Sequence, residues 1–577
     1  MNRNKLSRRT LLLGGVAGIL SACSASASST SVPAATAEPK PTEFPSAQPT
    51  NVMSAMPDAG RAPSKDFVPD VELALMATRA EVQLMAGKPT RVFTYQAQVL
   101  KGSAESAVAL PNSPLGPVIR VKQGQKVRIN FTNSLPGKDD ASVIHWHGLM
   151  LPEDMDGHPR FAIAPGQSYA YEFEVVNRAG TYWFHPHPHG QTARQVYNGL
   201  AGMFIVSDAE EAALGLPSDE FDVPLIVQDR TFDKNNQLVY FGQGMMAGAM
   251  ETLMGFRGEK VVMNGQPDYK LEVSKRAYRL RVLNGSNARI YKLAWGDGTP
   301  LTVIGTDGGL LEKPITREFA MLAPGERIEL WADFSDHVLG NEVTLESLAF
   351  AGAEDPAEEM KGMMGSSSAM TKTQSMSGMG AGTAPSTQPD TRLGAPMTLV
   401  TIRVTKEANE SPKLPKTLAK PSFYTVASAI NTDQPRTFEL KQKNMQWFIN
   451  GRQWEMDKAA ADETVKADTL EVWEIVNAIS PGEQMHTLGM AHPFHIHGVQ
   501  FQVLERKLLD DKLLKLAYAT VSDGYVNEGW KDTVMLMPGE RAKLLIKFGK
   551  HTGLFAYHCH NLEHEDMGMM RNYKVVA

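Results

Sequence analysis

Residues 558–569 read HCHNLEHEDMGM: Cys559 stands between two histidines, with a third histidine and a methionine close behind. The only other cysteine of the 577-residue chain is Cys23, near its start, so Cys559 has no partner for an internal disulfide in the folded part. Of the fifteen histidines, ten fall in four clusters: His145/His147, His185/His187, His492/His495/His497 and His558/His560/His564. In a β-strand, residues i and i+2 point to one face and i+1 to the other. Each His-X-His pair therefore aims two imidazoles at one place, and the four pairs supply eight. Imidazoles at this density are a metal-ligand set. Structural histidines scattered along a chain would not recur as four period-two pairs.

The same alternation assigns a use to the thiol. If His558 and His560 face the imidazole set, Cys559 faces away from it, toward a second and separate metal. A cysteine, two histidines and a weak axial methionine are the donors of a blue-copper electron-transfer site. The candidates are Cys559, His564, Met569 and His492. Cys559 would then join two metal sites through its own backbone. A zinc site would explain neither the soft thioether nor such a link.

Strands must carry these residues. Short β-branched runs punctuated by Gly, Pro, Asn and Asp, such as PVIRVKQGQKVRINFTNSL (117–135), YAYEFEVV (169–176) and RAKLLIKFG (541–549), predict an all-β chain. A repeat is marked by Pro165-Gly166-Gln167, Pro324-Gly325-Glu326 and Pro538-Gly539-Glu540. Twenty residues after the first and third prolines come His185 and His558, and the same step after the second gives Thr344. Three related β-sandwiches are expected, over 71–208, 220–405 and 421–577, with the chemistry in the outer two and the middle one a spacer or wall. The length accommodates this count. A net charge of −6 gives no reason to expect nucleic acid as a partner.

The N-terminus reads as a targeting segment. Arg8 and Arg9 in SRRTLL precede an apolar stretch, Leu11 to Leu20, too short for a permanent membrane span, as in a twin-arginine export signal. Leu20-Ser21-Ala22-Cys23 resembles a lipobox, which would make Cys23 a lipid anchor over a signal of residues 1–23. Residues 24–70, rich in Ala, Ser, Pro and Thr, are expected to form a disordered or extended tether. The protein is thus expected outside the cytoplasm, in the periplasm or cell envelope.

In order, HWHG (145–148), HPHPHG (185–190), HPFHIHG (492–498) and HCHNLEHEDMGM (558–569) resemble the motifs of the multicopper oxidase family, in its bacterial three-domain branch of copper-efflux oxidases and laccases. The likeness runs from about residue 90 to 577 and takes in YRLRVLNGSNAR (278–289) and DGGLLEKP (307–314) of the middle unit. It implies three consecutive cupredoxin-like Greek-key β-sandwich domains and four copper ions. His492, Cys559, His564 and Met569 match the type 1 ligands, and His145 and His495 those of type 2. His147, His185 and His560 match one type 3 copper, and His187, His497 and His558 the other; His189 matches no ligand. The family passes single electrons from a donor through the cysteine to the three-copper cluster, where dioxygen is reduced to water. Asp156, in GLMLPEDMDG, matches the family's acidic residue near the type 2 copper, and Glu565 matches a proton-relay glutamate. Glu153 and Asp154 are read as solvated turn residues.

Methionines bear on the donor. Residues 360–379 hold six of the chain's thirty methionines, set among Gly, Ser, Lys and Thr rather than in a core pattern. Thioether sulfur prefers cuprous ion; the same run also suits a flexible linker that scavenges oxidants. Met245, Met246, Met250 and Met254 have helical spacing and suit lid packing near the type 1 site. Met490 matches a substrate-copper methionine of the efflux oxidases. Two features depart from those enzymes: their methionine-rich insert lies in the third domain and carries histidines, and their aspartate four residues before the type 1 histidine is Leu488 here. His486, nearby, reads as a loop residue. The expected activity is dioxygen reduction with Cu(I) or phenols as donors, by a monomer, in copper detoxification. A copper-sequestering envelope protein with secondary oxidase activity is the alternative, and a copper-free scaffold of the same fold would lack these ligands.

Overall fold

The computed structural model describes residues 60–241, 245–351, 391–479 and 489–577. The leader, the tether up to residue 59, the 360–379 run, His486 and Leu488 lie outside the described residues.

Among the described residues the strands pair into six sheets, two in each third of the chain. The first third stacks a four-stranded sheet on a five-stranded one, the middle third a seven-stranded on a five-stranded one, and the last third two five-stranded sheets. Each pair encloses its own apolar core. Leu73, Trp146 and Phe173 belong to the first, Leu280 and Leu330 to the second, and Trp473, Phe494 and Tyr557 to the third. This is the all-β, three-sandwich architecture expected from the alternating runs.

Residues 60–70 correct the tether assignment. They lie along the first sandwich instead of forming part of a spacer. The Arg61 amide donates to the Ser168 carbonyl at 3.1 Å, and the Arg61 carbonyl accepts from Ala170 at 2.9 Å. Arg128 donates to the Ser64 and Phe67 carbonyls at 2.7 and 2.6 Å. Satisfied backbone groups, rather than buried apolar side chains, hold this segment, which is why its composition does not reveal it.

Four strands position the chemistry: β1 (Ile144–His147), β2 (Gly180–Pro186), β3 (His492–Ile496) and β4 (Gly553–Cys559). β1 and β2 run antiparallel with His145 opposite His185. β3 and β4 run antiparallel with His495 opposite His558 and Phe494 opposite Cys559. The residues between the histidines turn inward: Trp146 joins the first core, and Ile496 and Cys559 the third. A polar network with a buried centre joins the middle third to the first, where Arg120 meets Asp222 at 2.8 Å. Arg281 meets Asp222 at 2.5 Å and Glu329 at 3.0 Å, while Glu329 accepts from Thr181 of β2 at 2.7 Å.

Candidate metal centre

Cys559 is fully buried at the end of β4. Its Sγ lies 3.4 Å from His492 Nδ1 and 3.6 Å from His564 Nδ1. His564 sits on the short helix α2 (Leu562–Asp566), which the Asn561 side chain caps. Its Nε2–H donates to the Leu253 carbonyl at 2.9 Å, which leaves the Nδ1 lone pair facing the sulfur. Met569 is buried in the same apolar cluster as Cys559, and its carbonyl accepts from the Cys559 amide at 3.1 Å. Leu253 lies in the last turn of helix α1 (Met245–Met254), the helix expected from the methionine spacing. Met254 and Met490 are also buried in this cluster, and Met250 packs against it. Burial pushes the Cys559 thiol far above its usual range, so a thiolate here requires a cation beside it.

On the opposite face of β3 and β4, eight imidazoles from the first and last sandwiches converge, all fully buried. His145 Nδ1–H donates to the Asp156 carbonyl at 2.7 Å, and His495 Nδ1–H to the Asp532 carbonyl at 2.8 Å. A carbonyl only accepts, so each Nε2 carries a lone pair, and these two nitrogens stand 3.3 Å apart. His497 Nδ1–H donates to Asp156 Oδ2 at 2.7 Å, and its Nε2 lies 3.1 Å from His558 Nε2. His558 Nε2 is in turn 3.3 Å from His187 Nε2. Facing lone pairs repel unless a cation lies between them. Both nitrogens of His560, Nε2 of His185, and Nδ1 of His147 and His187 are buried without a hydrogen-bond partner. The His560 ring stands 5.0 Å from that of His147 and 5.3 Å from that of His185. Burial, then mutual repulsion, pushes His145, His187, His495, His497 and His560 well below the usual imidazole range. They are neutral donors. A buried thiol between two imidazoles, and beside it a shell of orphaned imidazole lone pairs, fits copper held by sulfur and nitrogen.

Carboxylates frame this shell. Asp156 touches His145 through its carbonyl and His497 through its carboxylate. Glu565, on α2, places its oxygens 3.1 Å from His558 Nδ1 and 3.6 Å from His187 Nε2. Burial raises the proton affinity of both Asp156 and Glu565. Glu153 and Asp154 lie in a turn and are partly exposed, as expected, and each is also paired: Glu153 meets Arg160 at 2.7 Å, and Asp154 pairs with Arg61. Asp154 thereby reaches a residue 93 positions away, and Glu153 also accepts from the Leu554 amide of β4. His189 packs its ring 6.1 Å from that of Trp454, outside the shell.

The residue that sequence spacing misses is Asp532. Its Oδ1 lies 3.0 Å from His147 Nε2, so that nitrogen carries the proton and Nδ1 turns to the shell, the reverse of His145 and His495. Arg327 of the middle sandwich grips Asp532 at 2.8 and 2.5 Å. Arg327 and Lys531 also face Asp307, whose carboxyl burial raises to about 6. The middle sandwich is therefore more than a wall. It orients one imidazole through Arg327 and another through the Leu253 carbonyl. Neither contribution carries a histidine, so the search for histidine pairs passes over it.

Two family models described as multicopper oxidase match residues 92–211 and 429–577. The multicopper oxidase mco of Staphylococcus aureus is 31% identical over 484 residues, spanning 82% of this chain and 85% of that protein. A laccase of Bacillus subtilis (strain 168) is 30% identical, spanning 79% of this chain and 87% of the laccase. The crystal structure of McoA multicopper oxidase from Aquifex aeolicus superposes with a TM-score of 0.67 at 31% identity, covering 89% of this chain and 97% of that one. The cell division protein FtsP of Photorhabdus laumondii is also similar, at 31% identity over 79% of this chain and 82% of FtsP.

Replacing Arg327 by leucine strips Asp532 and Asp307 of a shared buried counter-charge. Loss of one partner of a buried pair costs about 3–5 kcal/mol. Calorimetry of the metal-free protein should show a clearly lowered melting temperature, and metal analysis a lowered metal content. Lys458→Ala, which breaks an exposed pair with Glu455, should change neither. An Arg327→Leu protein with unaltered melting and metal content would contradict this role.

Proposed function

The chain belongs to the multicopper oxidase family, oxidoreductases with oxygen as electron acceptor, and from that premise we propose that it couples four one-electron oxidations of a donor to the four-electron reduction of dioxygen to two waters. The observation that carries the reading is the opposed placement of Cys559 and its neighbours. The thiol lies with His492 and His564, and His558 with His187 and His497. His492, Cys559, His564 and Met569 would hold the type 1 copper and His145 and His495 the type 2 copper. One type 3 copper falls to His147, His185 and His560 and the other to His187, His497 and His558.

Bound copper supplies one-electron redox chemistry at each of the four positions. The protein does the rest. The main chain of Cys559 links the sulfur site to His558 and His560, one residue away on either side. The Leu253, Asp156 and Asp532 carbonyls fix the tautomers of His564, His145 and His495. Two waters need four protons, and Asp156 and Glu565 are buried carboxyls in reach of the shell; Asp532, also beside it, is held by Arg327. Held above the usual carboxylate range, the first two are able to hold a proton there and give it up.

Cu(I) and phenols are the donors proposed, in copper detoxification. The six methionines of 360–379 and the buried Met254 and Met490 beside Cys559 support cuprous ion. The SRRTLL and LSAC segments support export by the twin-arginine route, retention in the periplasm or envelope, and a lipid anchor on Cys23. The working unit proposed is the monomer. The likeness to the cell division protein FtsP keeps a role in cell division as the second reading. The complete donor sets argue against it.

Cys559→Ser should abolish the blue absorbance and oxygen uptake while three coppers of four remain bound; full oxygen uptake without the thiol would overturn the reading. Asp156→Asn should keep the blue band and slow oxygen reduction by roughly 10²-fold or more, and unchanged turnover would remove Asp156 from the proton path. Deleting 360–379 should lower oxygen consumption with Cu(I) and leave the rate with a phenol unaltered. Equal rates on Cu(I) before and after deletion would reduce the run to a linker.

A further inference from the structure

A cavity of about 490 Å³ opens at the seam of the first and third sandwiches. Its size is within the usual range for small-molecule sites, roughly 300–1,000 Å³. The segment between the middle and third sandwiches closes one side with Lys420 and Tyr424. Gly498 and Val499, which directly follow His497, line it as well.

The lining has two components. Tyr424, Trp530, Phe555 and Tyr573 provide flat apolar surface. Arg178, Lys420, Lys547 and His551 provide the ionisable groups, and among the described residues no aspartate or glutamate lines the cavity. Lys547 donates to the Asp468 backbone carbonyl, which leaves its charge unneutralised. Arg178 and Lys420 form no ion pair among the described residues; the Glu210 carboxylate accepts from the Lys420 backbone amide. Three cations without an ion-pair partner among the described residues, set around aromatic walls, attract a flat anion: the rings take the face, and the guanidinium and ammonium groups take the charge.

We propose that this cavity binds a small aromatic anion, one or two rings bearing a carboxylate or sulfonate, at a site distinct from the electron-donor site. Phe555 stands four residues before Cys559 on β4, about 13 Å along the strand. The occupant therefore sits apart from the sulfur and does not compete with the donor. It presses on the main chain beside His497, whose carbonyl accepts from Tyr573 Oη at 2.6 Å, and so acts on turnover rather than on donor affinity.

The test uses the copper-loaded enzyme and naphthalene-2-sulfonate, with 2-naphthalenemethanol as the uncharged probe. Calorimetric titration should give one sulfonate site per chain and at least tenfold weaker binding of the alcohol. The double variant Arg178→Gln/Lys420→Gln, which leaves the copper donor sets untouched, should lose at least tenfold in sulfonate affinity while keeping basal oxygen uptake. With 2,6-dimethoxyphenol as donor, the sulfonate should lower kcat and leave KM unchanged. Equal affinity for the two probes, undiminished sulfonate binding by the double variant, or a raised KM at constant kcat would each overturn the proposal. None of these outcomes depends on which residues hold which copper, so they leave the oxidase reading standing.

Discussion

Everything chemical in this protein depends on side-chain alternation in one strand. β4 ends in Tyr557, His558 and Cys559, and successive side chains leave it on opposite faces. Facing inward, Cys559 takes a place in the core of the third sandwich, as Trp146 does in the first. Facing outward, His558 meets its partners across the seam. A shift of register by one residue would exchange thiol and imidazole between the two faces and destroy both donor sets. The pairing of Phe494 with Cys559 and of His495 with His558 fixes that register, and the fully buried Tyr557 and Phe494 anchor it.

Around this strand the protein keeps the imidazoles neutral and oriented. Burial makes protonation costly, and carbonyls take the protons from the nitrogens that must not face the shell. Orientation comes from all three sandwiches: Asp156 from the first, Asp532 from the third, Arg327 and the Leu253 carbonyl from the middle one. The middle sandwich donates no imidazole to the shell, yet the two tautomers it influences, those of His147 and His564, lie on opposite sides of the strand.

How much of this was legible follows from what sequence periodicity encodes. Four His-X-His pairs announce convergence because strand geometry converts spacing two into a shared face. Cys559 was legible for the same reason, by opposition. The three-sandwich, all-β architecture followed from alternation and turn residues. Asp532, Arg327 and Leu253 were not legible, because they act by contacts between distant segments, and one acts through its backbone alone. Asp154 looks like an ordinary turn carboxylate until folding brings Arg61, 93 residues earlier, beside it. Residues 60–70 were assigned to the tether on composition, which does not register backbone hydrogen bonds to a neighbouring strand.

On this reading one strand serves two separate metal sites from its two faces. The most direct measurement is an anomalous-scattering map, at the copper absorption edge, of crystals of the copper-loaded protein. The account predicts one isolated peak bonded to the Cys559 sulfur and, across β4, a group of three among the eight imidazoles. A sulfur without metal, or a single cluster holding both the sulfur and the imidazoles of His558 and His560, would contradict it.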